Sequence, residues 1–65
     1  MKKVVFANIE AERLKKGMSK TDLAQSAGIT PRTYYNYICG IAPIPSKVLL
    51  VFSKTLNCSV DHLLS

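Results

Sequence analysis

The sequence predicts an all-α fold of five short helices, and three observations carry this. Stop and start signals recur at short intervals: glycines at positions 17, 28 and 40, with Ser19, Thr30 and Ser59 as helix-opening residues. Between these signals, apolar residues fall at helical spacings. Nothing reads as a strand pair, because there is no Asn-Gly or Asp-Gly turn and no sustained alternation of apolar and polar residues.

The first helix is expected over residues 4–16, with an apolar stripe through Val5, Phe6, Ile9 and Leu14. Gly17 suits the left-handed stop, and Lys15 and Lys16 complement the dipole in the last turn. Ser19 caps the second helix, and Asp22 three residues later resembles a capping box with Asp in place of Glu. Leu23, Ala24 and Ala27 form its packing side, and Gly28 ends it. Thr30-Pro31 opens the third helix, since proline at the first helical position loses no needed N–H and presets φ. That helix runs to about Cys39 and meets Gly40. Ile41-Ala42-Pro43-Ile44-Pro45 cannot continue it and reads as an extended loop, unusually apolar for one. Pro45 or Ser46 opens the fourth helix, which runs through Val48, Leu49, Phe52 and Leu56 and stops near Asn57. Ser59 caps a last turn from Val60 to Leu64.

With 65 residues there is room for one small domain spanning 1–65. A chain this short buries only about 60% of its unfolded surface, so its core is near the lower limit. Two cysteines allow at most one bridge. Met1-Lys2-Lys3 is basic, but the apolar run after it is too short for a signal peptide. No segment approaches the roughly 20 apolar residues of a membrane span. A hydrophobic content of 48% with 20% charged residues argues against a disordered tail. A soluble, cytoplasmic domain is expected.

Charge narrows the function. Nine Lys+Arg against four Asp+Glu give a net +5, which favours an anionic partner: nucleic acid, an acidic protein or an anionic membrane. The bland alternative is that the lysines serve only solubility. The membrane reading is the weakest of the three, because the lysines are dispersed over several helices.

Two short helices joined by about four residues including Gly have the form of a helix-turn-helix, here over about residues 20–39. Ala24, four residues after Lys20, is small enough to let the two helices approach. Gly28 supplies the turn, and Ile29, Tyr34 and Tyr37 stand where apolar groups must pack the second helix onto the first.

At this point the chain resembles a known family. Ile9-Glu10-Ala11-Glu12-Arg13-Leu14-Lys15-Lys16-Gly17-Met18-Ser19-Lys20-Thr21-Asp22-Leu23-Ala24 is similar to the opening of the phage-repressor-type helix-turn-helix regulators. These are the Cro and lambda-repressor-like proteins, also called the xenobiotic-response-element family. Gly28-Ile29-Thr30-Pro31-Arg32-Thr33 resembles their turn and the start of their recognition helix, and Leu56-Asn57-Cys58-Ser59-Val60-Asp61-His62-Leu63-Leu64 their closing helix. The resemblance implies a five-helix lambda-repressor-like domain that inserts its third helix, residues 31–39, into the major groove of double-stranded DNA, commonly as a dimer.

The outward face of that helix also follows from geometry alone. At about 100° per residue, Tyr34, Tyr37 and Ile38 gather on one side. Arg32 and Asn36 lie opposite, one turn apart, with Cys39 beside them and Thr33 and Tyr35 on the flanks. Arg reads guanine O6/N7 bidentately, and Asn pairs with adenine N6/N7. The family's base-contacting positions fall on Pro31, Arg32 and Asn36. Pro31 departs from the polar residue usual there and serves better as a capping proline than as a contact to a thymine methyl.

Phosphate contacts require donors around the rim. Lys20, where the family often has Gln, keeps such a contact as a point charge. Thr30, Thr33, Tyr35 and Lys47 complete the expected backbone-contacting set. Arg13 projects to the packing side of the first helix, where a bare charge is costly. The family's arginine pairs with a Glu near the end of the third helix, but that position is Ile38 here. Arg13 is therefore expected to snorkel to the rim and meet phosphate, with pairing to Glu10 as the other course.

Cys39, Cys58 and His62 fit no structural zinc pattern and lack a fourth ligand, so neither metal nor cofactor is expected. No nucleophile motif or paired carboxylates suggest catalysis, so the chain reads as no enzyme. The leading reading is a small sequence-specific transcriptional regulator of the repressor kind. The rival is a protein-interaction module of antitoxin or anti-repressor type, motivated by the apolar 41–45 loop. Helix four has five consecutive apolar residues, Val48-Leu49-Leu50-Val51-Phe52, more than one packing stripe absorbs. Val51 is expected to be left over, with Leu50 partly so. A homodimer through Val51, Asn57, Cys58 and Val60 would bury the surplus and match two half-sites on DNA.

Overall fold

The local start and stop signals act where they stand in the chain. The Ser19 hydroxyl accepts from the Asp22 amide at 3.0 Å, and the Asp22 carboxylate accepts from the Ser19 amide at 3.1 Å, so the capping box is complete. Thr30 and Ser59 likewise accept from the amides three residues on, those of Thr33 and His62. The computed structural model describes residues 4–65. It contains α1 (Ala7–Lys15), α2 (Lys20–Ser26), α3 (Pro31–Ile38), α4 (Ser46–Leu56) and α5 (Val60–Leu64), with no strand among the described residues. Pro45 is the N-cap of α4, and Asn57, at φ 55°, is the left-handed residue that ends it. Met1-Lys2-Lys3, read above as a basic opening, lies outside the described residues.

The first helix is shorter than its sequence pattern suggests. It starts at Ala7, and no side chain caps it. Residues 4–6 instead run past the end of α3, where the Val5 and Phe6 amides both donate to the Ile38 carbonyl at 2.7 and 3.1 Å. Those bonds satisfy an acceptor left open at a helix C-terminus, a demand that helical pairing inside α1 would not meet. The expected stripe is corrected accordingly. Ile9 is fully buried and Phe6 partly so, but Val5 is exposed and Leu14 is 65% exposed.

The core gathers Ile9 of α1, Leu23 and Ala24 of α2, and Tyr34 and Ile38 of α3 around Phe52 and Leu56 of α4, with Leu63 of α5 closing it. Phe52 meets Tyr34 edge to face, with centroids 5.8 Å apart and planes at 74°. The surplus on α4 falls differently from expectation. Val51 is half-buried, whereas Leu50 is 57% exposed and is the apolar residue left over. A rotation of one residue, about 100°, separates the two outcomes.

Arg13 is the other correction. Only 7% of it is exposed, so it does not reach a rim. Its Nε and Nη2 donate to the two oxygens of Glu10 at 3.1 and 3.0 Å, and Nη1 donates to the Met18 carbonyl at 2.6 Å. The Tyr34 hydroxyl donates to the same Glu10 carboxylate. The pairing with Glu10 is thus the course taken, and its reason is desolvation: a nearly buried guanidinium needs a carboxylate and a carbonyl at fixed positions.

Burial pushes the Glu10 carboxyl up, but bonds from Arg13 and Tyr34 outweigh it and hold the group below its ordinary range. The unfolded chain therefore takes up that proton more readily. The resulting stability is complete above the unfolded value, about 4.3, and is lost as pH falls through the lower folded one. Glu10→Gln should cost about 2–3 kcal/mol at neutral pH, somewhat under the range for breaking a fully buried pair, and should flatten the acid limb of the stability profile. Urea titrations across acidic pH check both. An unchanged acid limb would remove Glu10 from this role.

Candidate nucleic-acid interface

The candidate interface is built on α2, the turn after it, and α3. Gly28 takes φ 69°. Its amide donates to the Gln25 carbonyl and the Ile29 amide to the Ala24 carbonyl, both at 3.0 Å. This double bond pattern ends α2 and turns the chain sharply. Ala24 is fully buried in α2, which packs against α3, so a methyl is all the space permits.

The third helix is held at both ends. At its start, Pro31 occupies the first helical position behind the Thr30 cap. The Thr30 and Thr33 hydroxyls share one hydrogen bond at 2.9 Å, so one hydroxyl proton of the pair is left for an outside acceptor. At its end, Ile38 receives the Val5 and Phe6 amides, and the Asn36 carbonyl receives those of Ile41 and Ala42 at 2.9 and 3.2 Å. Gly40 lies close under the incoming segment: a Cβ there would stand 3.1 Å from a Val5 methyl.

These restraints fix the rotation of α3. Tyr34 and Ile38 are buried, and Tyr37 packs partly against the core. Arg32 and Pro31 are exposed, Asn36, Thr33 and Cys39 are half-buried, and Tyr35 stands near the surface. Arg32 and Asn36 are therefore one turn apart on the face turned from the core. Burial and the Glu10 carboxylate push the Tyr34 hydroxyl above its usual range, which keeps it a neutral donor to Glu10. The outward face of α3 is set by an inward hydrogen bond.

Lys20 at the start of α2 and Lys47 at the start of α4 are exposed. The stretch from 23 to 60 contains no Asp or Glu, while Arg32, Lys47 and Lys54 fall within it. The four acids lie outside it, and three have internal partners. Glu10 holds Arg13, Glu12 meets Lys15 and His62, and Asp22 closes its capping box. This separation was readable in the sequence as charge patterning and adds to the total charge already counted. Of the residues named for a dimer contact, Asn57 is exposed, while Val51, Cys58 and Val60 are half-buried. The Glu10–Tyr34 bond is the feature sequence reasoning missed, although a core tyrosine always raises the question of where its hydroxyl goes.

A family model described as helix-turn-helix matches residues 9–63. The chain therefore belongs to the helix-turn-helix family of the phage-repressor and xenobiotic-response-element type. This is a family of DNA-binding transcription regulators and not one of enzymes. No curated protein and no solved structure gives a match. Among the described residues, no helix is long and apolar enough to cross a membrane.

The turn provides a direct test of the interface's frame. A Cβ at Gly28 would meet nothing within 4 Å, so Gly28→Ala carries only the backbone cost of a left-handed residue. We expect a loss of about 1–2 kcal/mol in urea unfolding, and a smaller loss for Gly28→Asn, which tolerates that conformation better. Equal losses for both would show that something other than φ decides.

Proposed function

We propose that this chain is a repressor-like, sequence-specific regulator that sets α3 in the major groove of double-stranded DNA. Arg32 and Asn36 are the base readers, with Pro31 serving to start the helix beside them. Lys20, Thr30, Thr33, Tyr35 and Lys47 are assigned to the phosphates. Arg13 is left out of that set, because its guanidinium is engaged inside the domain. The observation that carries the reading is the third helix itself. Its apolar face is locked to the core at Tyr34 and Ile38, while Arg32 and Asn36 are turned out over a stretch free of acidic residues.

Selection of bound sites from random duplex DNA tests this and reports the half-site spacing. On the selected site, Arg32→Ala or Asn36→Ala should cost about 1–3 kcal/mol and relax preference at one base pair. Equal losses on selected and random duplexes would remove them from base reading. Lys20→Ala should weaken all duplexes alike and reduce the slope of log K against log salt by about 1. An unchanged slope would leave Lys20 an ordinary surface charge.

The active form in this proposal is a two-fold homodimer, with the region of α4 and the α4–α5 junction at its interface. Leu50 joins the residues named from sequence because it is the large apolar side chain that α4 leaves exposed. Sedimentation equilibrium should show Leu50→Asp shifting the chain toward monomer. A wild-type chain that is monomeric both free and on DNA would overturn the dimer. A second reading keeps a partner protein on the 41–45 loop, favoured by the exposure of Ile41. The salt response separates the two, since an apolar contact barely weakens as salt rises while DNA binding falls steeply.

A further inference from the structure

The fold brings together three side chains that are scattered in the sequence. Glu12 of α1, Cys58 between α4 and α5, and His62 of α5 each offer one ligand atom, and all three atoms lie within 4.8 Å of one another. His62 Nε2 stands 3.0 Å from the Glu12 carboxylate. Cys39, grouped with Cys58 and His62 by residue type, caps the C-terminus of α3 and is not part of this cluster. The Glu12 carboxylate supplies the third donor.

We propose that Glu12, Cys58 and His62 form a site for a zinc-class divalent ion that clamps α1 to the α4–α5 junction. Donor type points to zinc, because a thiolate and an imidazole suit a borderline-soft ion and disfavour Mg2+ or Ca2+. Zn–S of about 2.3 Å and Zn–N or Zn–O of about 2.0–2.1 Å place tetrahedral ligand atoms about 3.3–3.7 Å apart. Side-chain torsions in Glu12 and His62 supply the remaining closure, of order 1 Å. Water fills the fourth position, the arrangement of zinc sites with three protein ligands.

The frame around the cluster is already rigid. The Cys58 amide donates to the Ser53 carbonyl at 3.0 Å, and the Ser53 hydroxyl donates back to the Cys58 carbonyl at 2.5 Å. His62 follows one turn later, and its carbonyl accepts from the Asn8 side chain of α1 at 2.7 Å. Ligands held by such fixed backbone need little reorganisation to bind. On binding, the Cys58 thiol gives up its hydrogen bond to the Leu56 carbonyl and releases its proton to solvent, and His62 ligates through Nε2. The Lys15 ammonium, 3.4 Å from Glu12, gives up that partner. Burial and the Glu12 carboxylate push the Cys58 thiol up, a cost that the ion's own charge must reverse.

Titration of the full chain with Co2+ under reducing conditions tests the site. We expect one ion per chain, a thiolate-to-cobalt charge-transfer band, and displacement of the band by Zn2+. Cys58→Ser should abolish the band, whereas Cys39→Ser should leave it. Glu12→Gln and His62→Gln should each weaken Co2+ by more than about 100-fold, beyond the roughly 10–100-fold loss of an outer-shell partner. Far-UV circular dichroism must show each variant folded, and Zn2+ should raise the melting temperature of the wild type but not of Cys58→Ser. A missing band, a band that survives Cys58→Ser or needs Cys39, or one ion shared by two chains would overturn the assignment.

Discussion

The Glu10 carboxylate is the point on which the domain is registered. It accepts both faces of the Arg13 fork and the Tyr34 hydroxyl, and Arg13 reaches on to the Met18 carbonyl. One carboxylate thus ties α1 to α3, and through Arg13 to the turn that delivers Ser19 and α2. A domain of this size has little apolar area with which to specify one arrangement. A nearly buried ion pair adds specificity even where its net stabilisation is modest, because any other register strands a charge. In the described residues no buried side-chain polar atom is left without a partner.

This constraint bears directly on the surface proposed to face DNA. Tyr34 lies between Arg32 and Asn36 in the sequence, and its ring and hydroxyl are both held, by Phe52 and by Glu10. A helix fixed at such a residue cannot turn about its axis. Arg32 and Asn36 are then presented in one orientation, as the base reading proposed for them requires. A second pair of restraints, at Thr30 and at the Ile38 carbonyl, keeps the helix from sliding or fraying. Affinity for phosphate can tolerate looseness; reading a base edge cannot.

What the sequence made legible is what local chemistry decides. Ser19 with Asp22, Thr30 with Pro31, and Ser59 each have their partners within three residues, so their helix starts could be read directly. The bend at residues 4–6 was not legible, because its partner is a carbonyl at position 38. Apolar spacing there looks helical until the free end of α3 competes for those amides. Arg13 was ambiguous for a related reason. Its two courses were both chemically sound, and the choice rests on the Met18 carbonyl and on Tyr34, which only the folded chain brings near. The faces of α3 were readable because Tyr34 and Ile38 differ so plainly from Arg32 and Asn36. On α4, by contrast, five apolar residues in a row left the rotation undetermined, and the packing of α2 and α5 on α4 selected Leu50 for exposure.

The distribution of charge follows the same division of labour. Glu10 and Glu12 on α1 and Asp22 at the start of α2 are committed to internal contacts, and no acid interrupts the chain from there to residue 60. A net +5 would be a weak guide if acids and bases were mixed over every helix, since opposite charges within a Debye length cancel. Here Glu10, Glu12 and Asp22 are engaged in holding the frame, and the exposed cations Arg32 and Lys47 lie within a stretch of chain, residues 23–60, that carries no acid. The acids' structural work and the bases' availability are two sides of one arrangement. A carboxylate that holds Arg13 inside is also one that does not repel a phosphate outside.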